Sequence, residues 1–162
     1  MVNVSCAQST RLKEGANISR KKSIDALIKK CRNSLNALKN DYQTSLNAKE
    51  ISEDLKIDIK NILENLRSCL DYIARDVHEK VISGTASRLY FPICRTAAEF
   101  QQAIGRDYSG LEQSALEIFN FIEKVQPYND AWLGKFNRLN NDNKHEDLVE
   151  QARLRRAGHA QR

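Results

Sequence analysis

The fold is decided by residues 52–82, which read SEDLKIDIKNILENLRSCLDYIARDVHEKVI. Apolar side chains recur in this stretch every three or four residues, which is the spacing of one face of an α-helix. The pattern therefore predicts one long amphipathic helix. Its apolar stripe consists of Leu55, Ile59, Ile62, Leu63, Leu66, Cys69, Leu70, Ile73, Val77 and Val81.

A second helix of the same kind is predicted upstream, over residues 19–46. A short polar segment, residues 47–50, joins it to the first, and two long helices with a short connection are typical of an antiparallel helical hairpin. Residues 1–18 show no period, which predicts a flexible N-terminal arm. The apolar stripe of the upstream helix consists of Ile24, Leu27, Ile28, Cys31, Leu35, Leu38 and Tyr42.

Downstream of the hairpin, residues 88–94 are predicted to be an extended segment that its aromatic side chains pin across the bundle. Pro92 excludes this segment from a central strand because proline cannot donate a ladder hydrogen bond. Three shorter helices are predicted to follow, each with a capping residue at its start. The sequence therefore predicts an all-α helical bundle. The capping signals are Thr96 with Glu99, Ser109 with Glu112, and Asn129 or Asp130.

The charge of the chain is concentrated near its beginning. Residues 11–32 carry eight Lys and Arg against two Asp and Glu, whereas the whole chain has a net charge of +5. A basic end of this kind either attracts nucleic acid or another anionic surface, or is a solvated helix face. A second basic segment, residues 149–162, is predicted to be a tail beyond the bundle of residues 19–148.

Cysteine and histidine usage indicates a cytoplasmic protein without a metal or cofactor. The four cysteines have no Cys-x-x-Cys spacing, and Cys31 and Cys69 fall on apolar helix faces, which is typical of small core residues in a reduced compartment. No histidine has partners at zinc spacing, and no glycine-rich phosphate loop is present. Residues 1–10 do not have the form of a signal peptide, and no apolar run is long enough to span a membrane.

The densest group of chemically capable residues lies on the last predicted helix. Arg138, Asn141 and His145 project from one side of that helix, because residues seven apart return to nearly the same face. The opposite side carries the apolar residues, so the polar group is predicted to point away from the core. The residues predicted to face the core are Trp132, Leu133, Phe136, Leu139 and Asn140.

Arg138 and His145 together supply groups that can cleave RNA without a metal. An imidazole exchanges a proton near neutral pH, and a guanidinium can hold two phosphate oxygens at once. Arg138 is therefore predicted to stabilise the phosphate, and His145 to act as general acid or base. Asn141 and Lys144 would orient or neutralise the substrate. A solvated polar face accounts for the same spacing and is the alternative reading.

A row of charges on the 52–82 helix is the second candidate feature. Arg67, Asp71, Arg75 and Glu79 recur every four residues. Such a row forms an intrahelical charge ladder, or it lies beside a site. On the second reading, Arg67 and Asp71 are candidate substrate-binding residues.

The Arg138-x6-His145 spacing in the last helix of a bundle resembles the HEPN superfamily of prokaryotic nucleases and nucleotide-binding modules, whose signature is Arg, four to six residues, then His. HEPN nucleases usually have a polar residue directly after the Arg, whereas Leu139 stands there in this chain. The resemblance implies a HEPN-like bundle over residues 19–148 that works as a homodimer, with the Arg and His of both subunits meeting across the interface.

Four further motifs resemble a family of uncharacterised bacterial and phage-associated helical proteins. They span most of residues 60–150. The motifs are Asn65-Leu66-Arg67-Ser68-Cys69-Leu70-Asp71-Tyr72, Phe91-Pro92-Ile93, Gln126-Pro127-Tyr128 and Asn141-x-x-Lys144-His145.

The HEPN resemblance implies a metal-independent RNA endonuclease, of a kind that resembles effectors of toxin–antitoxin and antiphage systems. Its expected partners are RNA, a second copy of the chain and an antitoxin or other regulatory protein. The alternative is a non-catalytic module that binds a nucleotide, a nucleic acid or a protein.

Overall fold

The computed structural model of the 162-residue chain describes residues 14–48, 51–82 and 89–145. All regular structure within these residues is helical, so the predicted all-α bundle is confirmed. Residues 1–13 and 146–162, which contain most of the predicted arm and the whole basic tail, lie outside the described residues. The helices are α1 (Glu14–Ala48), α2 (Glu53–Val77), a π-helical turn (His78–Ile82), α3 (Ala97–Asp107), α4 (Leu111–Ser114), α5 (Leu116–Lys124) and α6 (Ala131–His145).

Helices α1 and α2 lie side by side and run in opposite directions. Near the start of α1, the Arg20 guanidinium contacts the Asp76 carboxylate at 2.9 Å. Further along α1, the Cys31 thiol lies 3.8 Å from the carbonyl oxygen of Ile62. Since residue numbers rise on α1 while they fall on α2, the pair is antiparallel. Both Cys31 and Cys69 are buried, as predicted.

The start of α2 and its continuation past residue 77 follow from local hydrogen bonds. The Ser52 hydroxyl accepts a hydrogen bond from the Leu55 N–H at 3.2 Å and caps the first turn. At the other end, the His78 N–H is shared between the carbonyls of Ala74 and Arg75. The helix then widens into the π-helical turn and extends to residue 82, where the sequence pattern predicts its end.

The main core is built by the second half of α2, the segment before α3, and helices α3 to α6. Its centre contains Phe100, Leu111 and Leu133, which are fully buried. None of the described α1 side chains belongs to this core. Helix α1 instead packs mainly on α2.

The position of α1 explains why part of its predicted stripe is not buried. Leu35 and Tyr42 were expected to face the core, but both are exposed. One neighbouring helix covers only a narrow seam, and Leu35 and Tyr42 lie beside this seam. The periodicity therefore identifies the apolar face of α1 correctly but overestimates how much of it is covered.

Residues 89–94 of the predicted extended segment belong to no helix or strand, and side chains from distant parts of the chain bind its backbone. The Tyr108 hydroxyl donates to the Tyr90 carbonyl at 2.8 Å. The Gln126 side chain accepts from the Cys94 N–H at 2.9 Å and donates to the Pro92 carbonyl at 3.1 Å. The segment is thus held by hydrogen bonds to its backbone as well as by burial of Phe91, whereas the Tyr90 side chain is exposed.

Three local details differ from the sequence predictions. Helix α1 begins at Glu14, five residues before the predicted boundary. The helix expected after Ser109 is interrupted at Ala115, where φ is −155° and ψ is 69°. The Ser109 capping prediction is wrong because Gly110, with φ of 82°, is the N-cap residue of α4. The Thr96 cap forms as expected, accepting from the Glu99 N–H at 3.2 Å.

Candidate functional site

Helix α6, which carries the candidate site, is positioned by the turn before it. The carbonyl of Gln126 accepts hydrogen bonds from the N–H groups of Asn129 and Asp130 at 2.9 and 2.8 Å. Asp130 then caps α6, because its carboxylate accepts from the Trp132 N–H at 3.2 Å. Since Gln126 also binds the extended segment, one buried side chain fixes the direction in which α6 leaves the turn.

The buried face of α6 is a narrow line along the helix. Leu133 and Asn140, two turns apart, are fully buried, and Phe136 is half-buried between them. Gly134 allows the helix to approach the turn closely: a Cβ atom at this position would lie 3.2 Å from the Cβ atom of Pro127. The first turn of α6 is therefore seated directly on Pro127.

The outward face of α6 carries two of the predicted site residues. Arg138 and Asn141 are both exposed, about one helical turn apart. In the part of the chain that the structure describes, Arg138 forms no ion pair with a carboxylate. Its guanidinium is therefore available to an external anion.

Trp132 and Leu139 do not face the core, contrary to the prediction. Their side chains are 48% and 46% exposed, respectively. The two residues lie two turns apart, one position before the buried Leu133 and Asn140, which rotates them by about 100° towards the outward face. Helix α6 thus presents Arg138 together with two large exposed apolar side chains.

The remaining predicted site residues of α6 are Lys144 and His145. The helix includes both of them in its last turn. Their side chains lie outside the described part of the structure, so the convergence of His145 with Arg138 stays a prediction.

Arg67 and Asp71 lie on α2 and support the extended segment. The two side chains pair with each other at 3.1 Å. Asp71 accepts a hydrogen bond from the Phe91 N–H at 3.1 Å, and Arg67 donates one to the Phe91 carbonyl at 3.5 Å. Together they replace the hydrogen bonds that a neighbouring strand would make. This contact joins the Asn65–Tyr72 motif to the Phe91–Ile93 motif.

Three residues that were not among the predicted site residues have conspicuous positions. Gln126 is fully buried and makes three side-chain hydrogen bonds, and Tyr108 is fully buried with its ring in a T-shaped contact with His78. Asn140 is fully buried, and its Oδ1 atom has no hydrogen-bond partner among the described residues. Gln126 continues the buried line of Ile118 and Ile122 with a spacing of four, and this spacing is the signal that could have identified it.

Ionisable groups around the π-helical turn have shifted pKa values. Hydrogen bonding to Arg20 lowers the pKa of Glu79 below its ordinary value of 4.5. Burial, together with the nearby Asp107 and Asp71 carboxylates, raises the pKa of Tyr108. The Tyr108 hydroxyl therefore stays protonated and keeps its hydrogen bond to the Tyr90 carbonyl.

The described residues give no support to a metal site or a membrane span. No group of three or more His, Cys, Asp and Glu side chains there has the arrangement of a metal site. None of the described helices combines the length and apolar character that crossing a membrane requires. A polar cleft between α1 and α2 contains none of the predicted site residues; it is lined by Asp41, Thr44, Ser45, Ser52, Asp54, Leu55 and Asp58.

Comparison with other proteins adds no relative. No family model, curated protein or solved structure matches this chain. The resemblance to HEPN proteins therefore stays a prediction, and the function has to be inferred from the residues of α6.

Proposed function

We propose that the chain is a metal-independent RNA endonuclease of HEPN type that acts as a homodimer. The observation that supports this most is the exposed guanidinium of Arg138 on the outward face of α6, which pairs with no carboxylate among the described residues. A guanidinium without a carboxylate partner can bind two oxygens of a phosphodiester and stays charged at any physiological pH. The proposal adds His145, at the end of the same helix, as the group that moves the proton.

The proposed reaction is an attack of the ribose 2′-hydroxyl on the adjacent phosphorus. A basic imidazole, His145 of one subunit, removes the 2′-hydroxyl proton while the 2′-oxygen forms a bond to phosphorus. The bond from phosphorus to the 5′-oxygen breaks, and this oxygen takes a proton from an acidic imidazole, His145 of the other subunit. Arg138 stabilises the charge on the non-bridging oxygens, while Asn141 and Lys144 orient the strand.

The exposed apolar side chains of α6 support the homodimer. Trp132 and Leu139 lie on the same helix as Arg138, and large exposed apolar residues near polar ones are typical of protein interfaces. A second copy packed against this face would cover them and bring two Arg138 side chains near each other. The interface would then exclude water from the phosphodiester, which strengthens the effect of a fixed cation.

Cleavage of RNA in the presence of a chelator tests the proposal. We expect the wild-type protein to cut, and Arg138→Ala to lose about 10²- to 10³-fold of the rate through lost charge stabilisation. His145→Ala is expected to lose about 10²- to 10⁴-fold through lost acid–base catalysis. Arg75→Ala removes an exposed arginine from α2 and should cut at the wild-type rate.

Size measurement in solution tests the dimer. The double variant Trp132→Ser with Leu139→Ser is expected to be monomeric and inactive, whereas Phe121→Ser should stay dimeric because Phe121 is 65% exposed on a different helix. A folded, dimeric wild type that never cuts RNA would contradict the nuclease. That result would favour the alternative, a non-catalytic module that binds a nucleotide, a nucleic acid or a protein.

The biological role that we propose follows from the same chemistry. A nuclease without a metal requirement is active wherever RNA is present, so its activity has to be restrained by a partner. The proposed role is that of a cytoplasmic toxin or antiphage effector that cuts host or phage RNA. An antitoxin or another regulatory protein would cover the α6 face.

A further inference from the structure

The first half of α1 carries a set of exposed cations that the fold does not use. Six Lys and Arg residues lie between positions 20 and 32, and two of them are engaged. Arg20 binds Asp76 at 2.9 Å and Glu79 at 2.7 Å, and Lys21 pairs with Asp25 at 3.2 Å. The other four form no ion pair among the described residues and are exposed; they are Lys22, Lys29, Lys30 and Arg32.

These four cations, called the α1 cation group below, lie on the side of α1 that points away from α2. Lys22 and Lys29 are seven residues apart and so lie on one line, about 10 Å apart along the axis. Lys30 and Arg32 flank that line on either side. The seam with α2 is formed instead by residues such as Ile24 and Cys31, whose backbone or thiol contacts α2. Packing therefore does not explain the four cations.

The chemistry around the α1 cation group indicates what it can bind. These four positive charges, which pair with no described carboxylate, spread over about 15 Å of helix and match a ligand with several negative charges at regular spacing. No aromatic residue occurs between positions 20 and 34, so bases have no surface on which to stack. The outward positions among these cations are small or polar, such as Ala26 and Asn33, so a lipid surface would find no apolar side chain to bury.

We propose that the α1 cation group binds the phosphate backbone of RNA without reading its sequence. The identity of the polyanion rests on the proposed function, since charge alone does not distinguish RNA from DNA. The group would hold a structured RNA along α1, and α6 would then act on a strand of the same molecule. Backbone contacts of this kind position a nucleic acid and make its affinity strongly dependent on salt.

Binding of a labelled RNA duplex at several salt concentrations tests this proposal. The full chain with His145→Ala is the background, so that the RNA stays intact during the measurement. We expect the quadruple change Lys22→Gln, Lys29→Gln, Lys30→Gln and Arg32→Gln to weaken binding at low salt by at least about 30-fold. The slope of log affinity against log salt should become shallower by about 3, since each lost phosphate contact removes roughly one unit.

A charge-matched control separates this surface from net charge. It replaces four exposed cations outside α1 and α6 with glutamine, namely Lys60, Arg75, Arg95 and Lys124. This control should change the affinity by less than about 3-fold, because distant surface charges are screened. An equal loss in both variants would overturn the proposal, as would a quadruple variant that binds like its parent.

A lipid-binding measurement provides a further test of the α1 cation group. Binding to phosphatidylcholine vesicles only when they contain phosphatidylserine, with no binding to RNA, would overturn the proposal and identify a lipid surface instead.

Failure of the proposal for the α1 cation group can be distinguished from failure of the proposed nuclease. If the wild type cuts RNA and the quadruple variant binds normally, only the role of the α1 cation group fails. If the wild type binds through this group but never cuts, only the nuclease fails.

Discussion

The carboxylate of Asp71 accepts a hydrogen bond from the backbone N–H of Phe91 at 3.1 Å. The Arg67 side chain pairs with Asp71 and donates to the carbonyl of the same Phe91. One charged pair on α2 thereby satisfies both backbone groups of a buried residue. Arg67 and Asp71, which were predicted as substrate-binding residues, therefore hold the extended segment in place. The turn before α6 also depends on this segment.

Replacing Asp71 should lower the free energy of unfolding. Asp71→Ala leaves the Phe91 N–H and the Arg67 guanidinium without their partner, which costs about 1–3 kcal/mol. Asp71→Asn keeps an acceptor oxygen and should recover part of that loss. Urea denaturation measures both, with Arg75→Ala as the exposed control on the same helix. Equal stability of Asp71→Ala and Arg75→Ala would show that the Phe91 contact does not stabilise the fold.

Gln126 is expected to be the most sensitive polar residue of the core. Gln126→Met preserves the volume but removes the hydrogen bonds to the Cys94 N–H and the Pro92 carbonyl. Both groups are then buried without a partner, so we expect a loss of about 2–4 kcal/mol. The turn that directs α6 should loosen as well. Hydrogen exchange of the α6 amides measures this, and protection equal to that of the wild type would contradict it.

The Arg20–Glu79 contact predicts a pH dependence of stability. Because Arg20 lowers the pKa of Glu79, the ionised carboxylate stabilises the folded state at pH values above 4.5. The contribution is lost as the pH falls below 4.5 and through the lowered pKa. The difference in unfolding free energy between the wild type and Glu79→Gln should therefore shrink between pH 6 and pH 3. It should also be small, since the Glu79 side chain is half-exposed. A difference that grows on acidification would contradict this assignment.

Asn140 is a position at which a substitution is expected to preserve or raise the stability of the fold. Its Oδ1 atom is buried and has no partner in the part of the chain that the structure describes, which is unfavourable. Asn140→Leu keeps a similar volume and removes that atom, so the stability should stay unchanged or rise by about 1 kcal/mol. Asn140→Ala creates a cavity instead and should destabilise by about 2 kcal/mol. A loss above about 2 kcal/mol in Asn140→Leu would mean that the amide has a partner that the fold requires.

The arrangement of α6 shows how far the sequence determines the site. Leu133 with Asn140 and Trp132 with Leu139 form two adjacent lines, each with a spacing of seven residues. Hydrophobicity alone favours burial of the Trp132 line, yet the Leu133 line is the buried one. Which of the two lines is buried depends on where α6 leaves the turn at Gln126. Tertiary contacts determine this position. The periodicity correctly predicted that Arg138 and Asn141 point outwards, because they lie far from both lines.

The extended segment shows which structural features the local sequence predicts and which it does not. Pro92 correctly predicted that residues 89–94 belong to no helix and no central strand, because proline restricts its own backbone and that of its neighbour. Its hydrogen-bond partners could not be predicted, since Asp71, Tyr108 and Gln126 come from three distant parts of the chain. For the same reason, the spacing of Arg67 and Asp71 is compatible with an intrahelical charge ladder and with a substrate-binding site. Only the contacts to Phe91 show that the pair supports the extended segment.

The chemistry of the RNA ends is the most direct test of the nuclease. RNA is incubated with the dimeric wild type in chelator, and the fragments are analysed by mass spectrometry. Attack by the 2′-hydroxyl predicts a 2′,3′-cyclic phosphate on one fragment and a 5′-hydroxyl on the other, and no cleavage of 2′-O-methyl RNA. Arg138→Ala and His145→Ala should produce neither end. Fragments with 5′-phosphate ends, or no fragments at all, would contradict the mechanism based on Arg138 and His145.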